Sequence, residues 1–349
     1  MRIAICHPQW PFARGGGEMH VEALRAAVEE AGHEVDVLQV PFKWYPPSEL
    51  VHQMGLWRSL DLAEANGEPI DAVVALKFPA YLVPHERKIV WLIHQHRPAY
   101  DLWDDPKLGD LASYGDGAAV RDMIWDADRV ALGEAKRVFT NSANVRNRLR
   151  RYLGIPAEVL YHRSPMCQRL LDGDPGEPGR YVLFPSRLDP LKRQDLAVDA
   201  MRHVRGPAEL VIVGSGPSGE DLRRRISSAG LQDRVRVESG VSDRHLEDLY
   251  RGALAVLYPP YDEDYGYVAL EAMAARRPVI TTTDAGGPLE LVEDGVTGLV
   301  AAPDPRELGA AIDRLASDPE LVRELGTAGR DRLLDRVPEW PEVVARLLG

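Results

Sequence analysis

The residues best suited to chemistry in this chain lie in "YDEDYGYVALEA", Tyr261 to Ala272, where Glu263 and Glu271 flank Gly266. Glu263 follows an apolar run, Ala255 to Pro260, that reads as a strand. Glu271 falls about one turn inside a helix predicted over residues 267–275. A helix that opens on glycine points unpaired amides along the positive end of its dipole, which suits an anion. The stretch therefore calls for an anion whose other groups come within reach of two carboxylates.

Further upstream, "SRLDPLKR" places Arg187 and Lys192 on one loop that follows a strand. A planar guanidinium fork and a compact ammonium together suit a diphosphate, although a solvated basic loop has the same composition. In "GSGPSG", Gly214, Gly216 and Gly219 match the dinucleotide spacing G-x-G-x-x-G, which raises an NAD-dependent dehydrogenase as a remote alternative. That alternative needs an acid about 20 residues on. Glu238 lies only roughly there, and the basic pair and the glutamates are left without a role. Near the amino terminus, "ARGGGEMH" sets Gly15, Gly16 and Gly17 before a helix, where the backbone can approach a phosphate or sugar closely or simply turn.

These loops need a scaffold, and the chain supplies the rhythm of parallel βα units. "RIAIC", "EVDVLQV", "DAVVAL", "KIVWLI" and "RVFTNS" read as strands in the first half. "YVLFPS", "AELVIVG", "VRVESG", "ALAVLYP", "PVITTT" and "TGLVA" do so in the second, with helices between them. The Pro/Gly-rich "DGDPGEPGR", residues 172–180, reads as the linker. The expected organisation is a first α/β domain over residues 1–171, a second over 172–337, and a last helix over 338–349 that packs back on the first. Ligands of such sheets bind outside the carboxyl ends of the strands, which is where Arg187, Glu263 and His94 of "IVWLIHQH" fall.

Composition agrees with two soluble domains. The 349 residues exceed one core, and no apolar run is long enough to cross a bilayer. "MRIAIC" reads as a strand rather than a signal peptide, and two cysteines fit a reducing cytoplasm. A net charge of −12 argues against nucleic acid as a partner. The preference for arginine over lysine hints at a GC-rich bacterial genome.

Read together, "EDYGYVALEAMAARRPVITTTDAGGPLELVEDGVTGLV", "SRLDPLKR", "VIVGSGP" and "SGVSDRHLEDLYRGA" resemble the signature of the retaining glycosyltransferases of family 4. The resemblance covers nearly all of the second half. It is looser in the first, where "GGGEMHVEALRAAVEEAGHEVDVL", His94 and "VFTNSANVRNRL" carry it. It implies a GT-B fold, two doubly wound Rossmann-like domains facing across a cleft, and a nucleotide-sugar donor. By this resemblance Arg187 and Lys192 grip the donor diphosphate, Glu271 holds the ribose, and Glu263 lies beside the donor sugar. Gly266, Tyr267 and Val268 meet phosphate and sugar through their backbone. Gly214 belongs to the donor site, and Gly240 and Val241 border the base. Gly16 and Gly17 approach the diphosphate, and His94 contacts the transferred sugar. The chain departs from the family pattern at Asp264 and Tyr265, where many relatives have Gly-Phe, and this bears on the identity of the donor sugar.

Cations and amides aimed at a leaving diphosphate need no metal, so no cofactor is expected. The Asp-x-Asp triplets at residues 126–128, 172–174 and 262–264 read as chance matches in an acidic chain. Front-face departure is the favoured route to retention, with closure about the linker when donor binds. A phosphorylase or nucleotide-sugar epimerase of the same fold, or a non-catalytic sugar-nucleotide-binding module, are the alternatives. The acceptor, a small molecule, glycan or natural product, is expected on the first domain. Trp10, Trp44, Trp57, Trp91, Trp103 and Trp125 offer ring faces there, though most aromatics fill cores. In "NVRNRLRRYLG", Arg146, Arg148, Arg150 and Arg151 read as a solvated face, with a membrane surface as the lesser reading.

Overall fold

The computed structural model describes residues 1–12 and 15–349 and divides into two units. Unit 1 comprises Met1–His162 with Glu339–Gly349, and unit 2 comprises Arg163–Pro338. The boundary therefore falls ahead of the expected linker. Residues 165–172 form a helix, α5 (Pro165–Asp172), whose Met166, Cys167, Leu170 and Leu171 are buried within unit 2. The Pro/Gly-rich stretch that follows lies inside unit 2, held in part by the Arg277 guanidinium donating to the Gly176 carbonyl at 2.9 Å. Local composition marks where regular structure stops, whereas the unit boundary depends on which apolar faces pack together.

In unit 1 the strands are β1 (Arg2–Gln9), β2 (Glu34–Pro41), the short hairpin β3 (Glu64–Ala65) and β4 (Glu68–Pro69), β5 (Ala72–Ala75), β6 (Lys88–Leu92), β7 (Arg137–Thr140) and β8 (Glu158–Val159). Outside the hairpin they make one parallel sheet of order β2-β1-β5-β6-β7-β8. Its helices are α1 (Gly16–Glu30), α2 (Pro47–Ser59), α3 (Gly117–Gly133), α4 (Ala143–Leu153) and, from the far end of the chain, α12 (Trp340–Leu348). Strand alternation sorts the core. Ala4 and Cys6 face Leu50 and Trp57 of α2 and Ile124 of α3, while Ile3 and Ile5 face Leu24 and Val28 of α1 and Val343 and Leu347 of α12. The same parity puts His7 on the α1 side.

Four rings pin α12. His20, Trp91 and His162 cluster at centroid separations of 4.2–4.9 Å, and Trp340 lies 5.4 Å from His162. Burial holds His162 at about 3 and pushes His20 well below its ordinary range, so both rings are neutral at pH 7.

Unit 2 repeats the plan with β9 (Tyr181–Pro185), β10 (Glu209–Val213), β11 (Val235–Glu238), β12 (Ala255–Leu257), β13 (Val279–Thr282) and β14 (Gly298–Ala301). They form a parallel sheet of order β11-β10-β9-β12-β13-β14, covered by α6 (Gln194–Met201), α7 (Gly219–Ser228), α8 (Asp243–Gly252), α9 (Tyr267–Ala274), α10 (Pro305–Ser317) and α11 (Pro319–Arg336). Runs such as Val182–Phe184 and Leu210–Ile212 are buried without alternation, as expected for parallel strands covered on both faces. Every strand expected from the sequence forms, most of them trimmed by a residue or two at their ends. In each unit the first strand has neighbours that lead away on either side, so the order reverses between β1 and β5 and again between β9 and β12. Such a switch point opens a crevice at the carboxyl ends of the strands.

Candidate functional site

Of the second-half residues singled out above, Arg187 and Lys192 follow β9 and Glu263 and Gly266 follow β12, the two strands that flank the unit 2 switch point. Arg187 follows β9, and its Nη2 lies 3.2 Å from the Asp189 carboxylate. Pro190–Lys192 forms a 3₁₀ turn whose start is capped by Asp189 accepting from the Leu191 amide. Lys192 projects from that turn toward the segment after β12. There its ammonium donates to Glu263 and lies 3.4 Å from the Tyr258 hydroxyl, with the Tyr258 ring 5.8 Å away. Arg187 is 42% exposed, but Lys192 and Glu263 are only 18% and 17% exposed, so their attraction is less screened than at an open surface.

Glu263 is fixed by its own backbone. Its amide donates to the Ala285 carbonyl at 2.8 Å, and its carbonyl accepts from the Gly287 amide at 2.8 Å. A Cβ on Gly287 would stand 2.6 Å from the Asp264 carbonyl oxygen, so glycine is what allows the two segments to meet. Gly266 caps α9 in the left-handed region at φ 92°, pressed against Pro288 and Tyr258. Tyr267 and Val268 open that helix, and the first-turn amides of a helix have no intrahelical acceptor. Arg193, which the sequence reading passed over, makes a bidentate pair with Asp284 at 2.9 and 2.8 Å and ties this loop to the end of β13.

Glu271 lies one turn deeper and is 5% exposed. The Tyr250 hydroxyl on α8 donates to it at 2.7 Å. Burial pushes its carboxyl up to about 6, against the opposing pull of the Tyr250 and Ser164 hydroxyls. Tyr250 carried no signal in the sequence beyond its place on the apolar face of a helix.

Gly214 and Gly216 serve packing. A Cβ on either would stand 2.0 or 2.3 Å from the carbonyl oxygens of Ser186 and Leu188, so they let the β10 loop lie against the loop that carries Arg187. The same two loops exchange Ser186 and Leu188 amides with the Val213 and Ser215 carbonyls, at 2.9 Å each. This accounts for the dinucleotide-like spacing without a dinucleotide. Gly240 and Val241 lie between β11 and α8, with open space around Gly240.

In unit 1, Gly16 and Gly17 open α1, and His94 follows β6, half-buried, with Nδ1 2.6 Å from the Gln95 carbonyl oxygen. Trp57 and Trp91 are fully buried core residues. Trp10 stacks on Trp44, and the Arg121 guanidinium lies between Trp103 and Trp125. Arg148 corrects the reading of a solvated basic face. It is 4% exposed, and its Nε lies 3.4 Å from the Asp101 carboxylate, which also accepts from Arg97. Asp128 of the first acidic triplet is buried in α3 and accepts from the Tyr100 hydroxyl at 2.7 Å. Burial raises its carboxyl to about 7. Among the described residues no helix is long and apolar enough to cross a membrane.

The family described as "Glycosyl transferases group 1" matches residues 173–332. The chain is 35% identical over 376 aligned positions to a D-inositol 3-phosphate glycosyltransferase of Nocardia farcinica, covering 90% of this chain and 81% of the relative. Two further curated relatives are covered over 48% and 55% of their own length, so the chain spans about half of those proteins. Among solved structures, a sucrose-phosphate synthase from Thermosynechococcus elongatus superposes with a TM-score of 0.77 at 21% identity, covering 99% of this chain and 96% of that one. Anabaena Alr3699/HepE, solved in complex with UDP and glucose, does so with a TM-score of 0.67 at 18% identity, covering 99% and 98%. These likenesses establish the GT-B fold.

Proposed function

Because the chain belongs to the group 1 glycosyl transferases, which include the retaining enzymes of family 4, we propose that it moves a sugar from a nucleoside diphosphate donor to a hydroxyl acceptor with retention at the anomeric carbon. The observation that carries this reading is the meeting of Lys192 with Glu263 at the unit 2 switch point, beside Arg187 and the start of α9.

Cleavage of the anomeric C–O bond leaves charge on the diphosphate. Arg187, Lys192 and the first amides of α9 are positioned to stabilise it, and stabilisers that are already in place need no reorganisation in the transition state. Glu263 suits the hydroxyls of the departing sugar, and its ion pair keeps Lys192 oriented until phosphate arrives. Glu271, held by Tyr250, suits the ribose hydroxyls. The acceptor attacks from the face that the diphosphate leaves, and the leaving phosphate takes the acceptor proton. No cofactor enters this scheme. UDP is the first nucleotide to try, since a protein of the same fold was solved with it.

The test is a thermal-shift panel of nucleoside diphosphates, because ligands that bind the native state raise the melting temperature. It is followed by product analysis of the best donor sugar with and without acceptors. Nucleoside diphosphate released only with acceptor, together with an axial or equatorial linkage that matches the donor, supports the reading. Phosphorolysis or epimerisation without acceptor overturns it.

A further inference from the structure

The loop that carries Lys192 ends on a residue in an unfavoured conformation. Arg193, between the 3₁₀ turn Pro190–Lys192 and α6, has φ 59° and ψ 43°. That left-handed region is open to glycine and disfavoured for residues with a Cβ. An arginine held there implies a requirement for its side chain. The guanidinium forks onto both Asp284 oxygens, at 2.9 and 2.8 Å, and lies 4.9 Å from the ring centroid of Tyr261. Burial alone would raise the Asp284 carboxyl, but the Arg193 fork leads the groups that outweigh it and hold it below the usual carboxylate range.

These contacts close a triangle of three segments that includes Lys192 and Glu263. The Leu191 carbonyl accepts from the Tyr261 amide at 2.8 Å, which joins the loop after β9 to the segment after β12. The Asp262 and Glu263 amides donate to the Asp284 and Ala285 carbonyls at 2.9 and 2.8 Å, which joins that segment to the one after β13. The Arg193–Asp284 fork is the third side. Arg193 follows Lys192 in the chain, and Asp284 precedes the residue whose carbonyl holds Glu263, so the fork links the supports of both members of the ion pair. The far end of the loop has its own anchor, the buried Gln194 amide, which donates to the Ser186 hydroxyl at 2.9 Å and the Arg187 carbonyl at 2.8 Å.

We propose that Arg193 is a positioning residue: forked on Asp284, it sets where the Lys192 ammonium stands as the donor diphosphate departs, and it acts on catalysis through Lys192. The inference rests on the transferase reading. A planar fork that meets both carboxylate oxygens fixes direction as well as distance, which a lysine at 193 would not do. Lys192 has a long flexible stem, so without the fork it still reaches a bound diphosphate. Charge that grows on departure is stabilised best by a cation already in place. The fork should therefore count in kcat and little in donor binding.

The experiment is a mutant cycle on the full chain: wild type, Arg193→Gly, Lys192→Ala and the double variant, with kcat and donor KM from initial rates and nucleoside diphosphate affinity from titration. Glycine suits the left-handed backbone, so this substitution removes the side chain without adding strain. Arg193→Gly should lower kcat about tenfold while nucleoside diphosphate affinity stays within about threefold of wild type. In the Lys192→Ala background the same change should lower kcat less than about twofold. Arg193→Lys should recover little of the loss. Asp284→Asn, put through the same cycle, should repeat the pattern and decides the matter if the glycine variant does not fold. Full kcat in folded Arg193→Gly and Asp284→Asn would overturn the inference. So would an equal loss with and without Lys192, or failure of both variants to fold, since either marks a general structural role. A wild-type chain that transfers no sugar from any nucleoside diphosphate donor would defeat the transferase reading instead, and this inference with it.

Discussion

The two units carry the same kind of crevice and equip it differently. At the unit 2 switch point, a partly open Lys192–Glu263 pair stands beside the glycine-capped start of α9, with Glu271 buried one turn below. At the unit 1 switch point, the start of α1 is already met by the carboxylate of Glu18, and the groups beneath it are buried neutral histidines. A helix start that follows a loop facing Lys192 suits a leaving diphosphate. At the start of α1 the Gly15 amide is already satisfied by Glu18. The two sheets differ in strand order but share a switch point beside their first strand, and the two switch points differ in the side chains that follow the strands.

The largest expected effect tests the unit 2 crevice. Arg187→Ala or Lys192→Ala should lower kcat by about 10²-fold or more, the scale seen when a preorganised electrostatic stabiliser is removed. Glu263 should behave in the same way. Full kcat in Arg187→Ala, measured with varied donor, would show that the charge set is misassigned.

Glu271 should separate binding from chemistry within the same crevice. A contact to ribose is equal before and during reaction, so Glu271→Gln should raise the donor KM and weaken nucleoside diphosphate binding by roughly 1–3 kcal/mol with kcat nearly kept. With its carboxyl near 6, wild-type donor affinity should also fall as pH drops from 7 toward 5, and the Gln variant should lack that component. Unchanged donor affinity in the variant would remove Glu271 from the site.

Unit 1 should be the more sensitive of the two to acid. Burial holds His96 and His162 at about 3 in the folded chain, while an unfolded histidine titrates near 6.5. Between those values the unfolded state binds more protons, so stability is present above about 6.5 and is lost as pH falls, by about 1.4 kcal/mol per pH unit for each group. Amide exchange followed from pH 7 to 5 should show β6, α1 and α12 losing protection ahead of the unit 2 strands. Equal loss in both units would argue against this account.

The smallest expected effect is none at all. If Arg187, Lys192 and the start of α9 suffice for the leaving group, turnover should survive excess EDTA. Complete loss that Mg²⁺ or Mn²⁺ restores would sink the metal-free route.

Much of this was legible before the fold was known, because some features are written between near neighbours in the chain. Alternation along Ile3–Cys6, the buried run Val182–Phe184 and the glycine at 266 each follow from the chain's own geometry over a few residues. So does the spacing that brings Glu263 and Glu271 to one loop and the helix after it. Other features depend on which distant faces pack. The hydroxyl of Tyr250 on Glu271, the burial of Arg148 against Asp101, the clash that makes Gly214 obligatory beside Ser186, and the ring of Trp340 against His162 each join residues well apart in the chain. No local pattern encodes them. Burial and partners then set whether Glu271 or His7 is charged, so the electrostatics of both crevices came from the fold, while their location at strand ends could be read in the sequence.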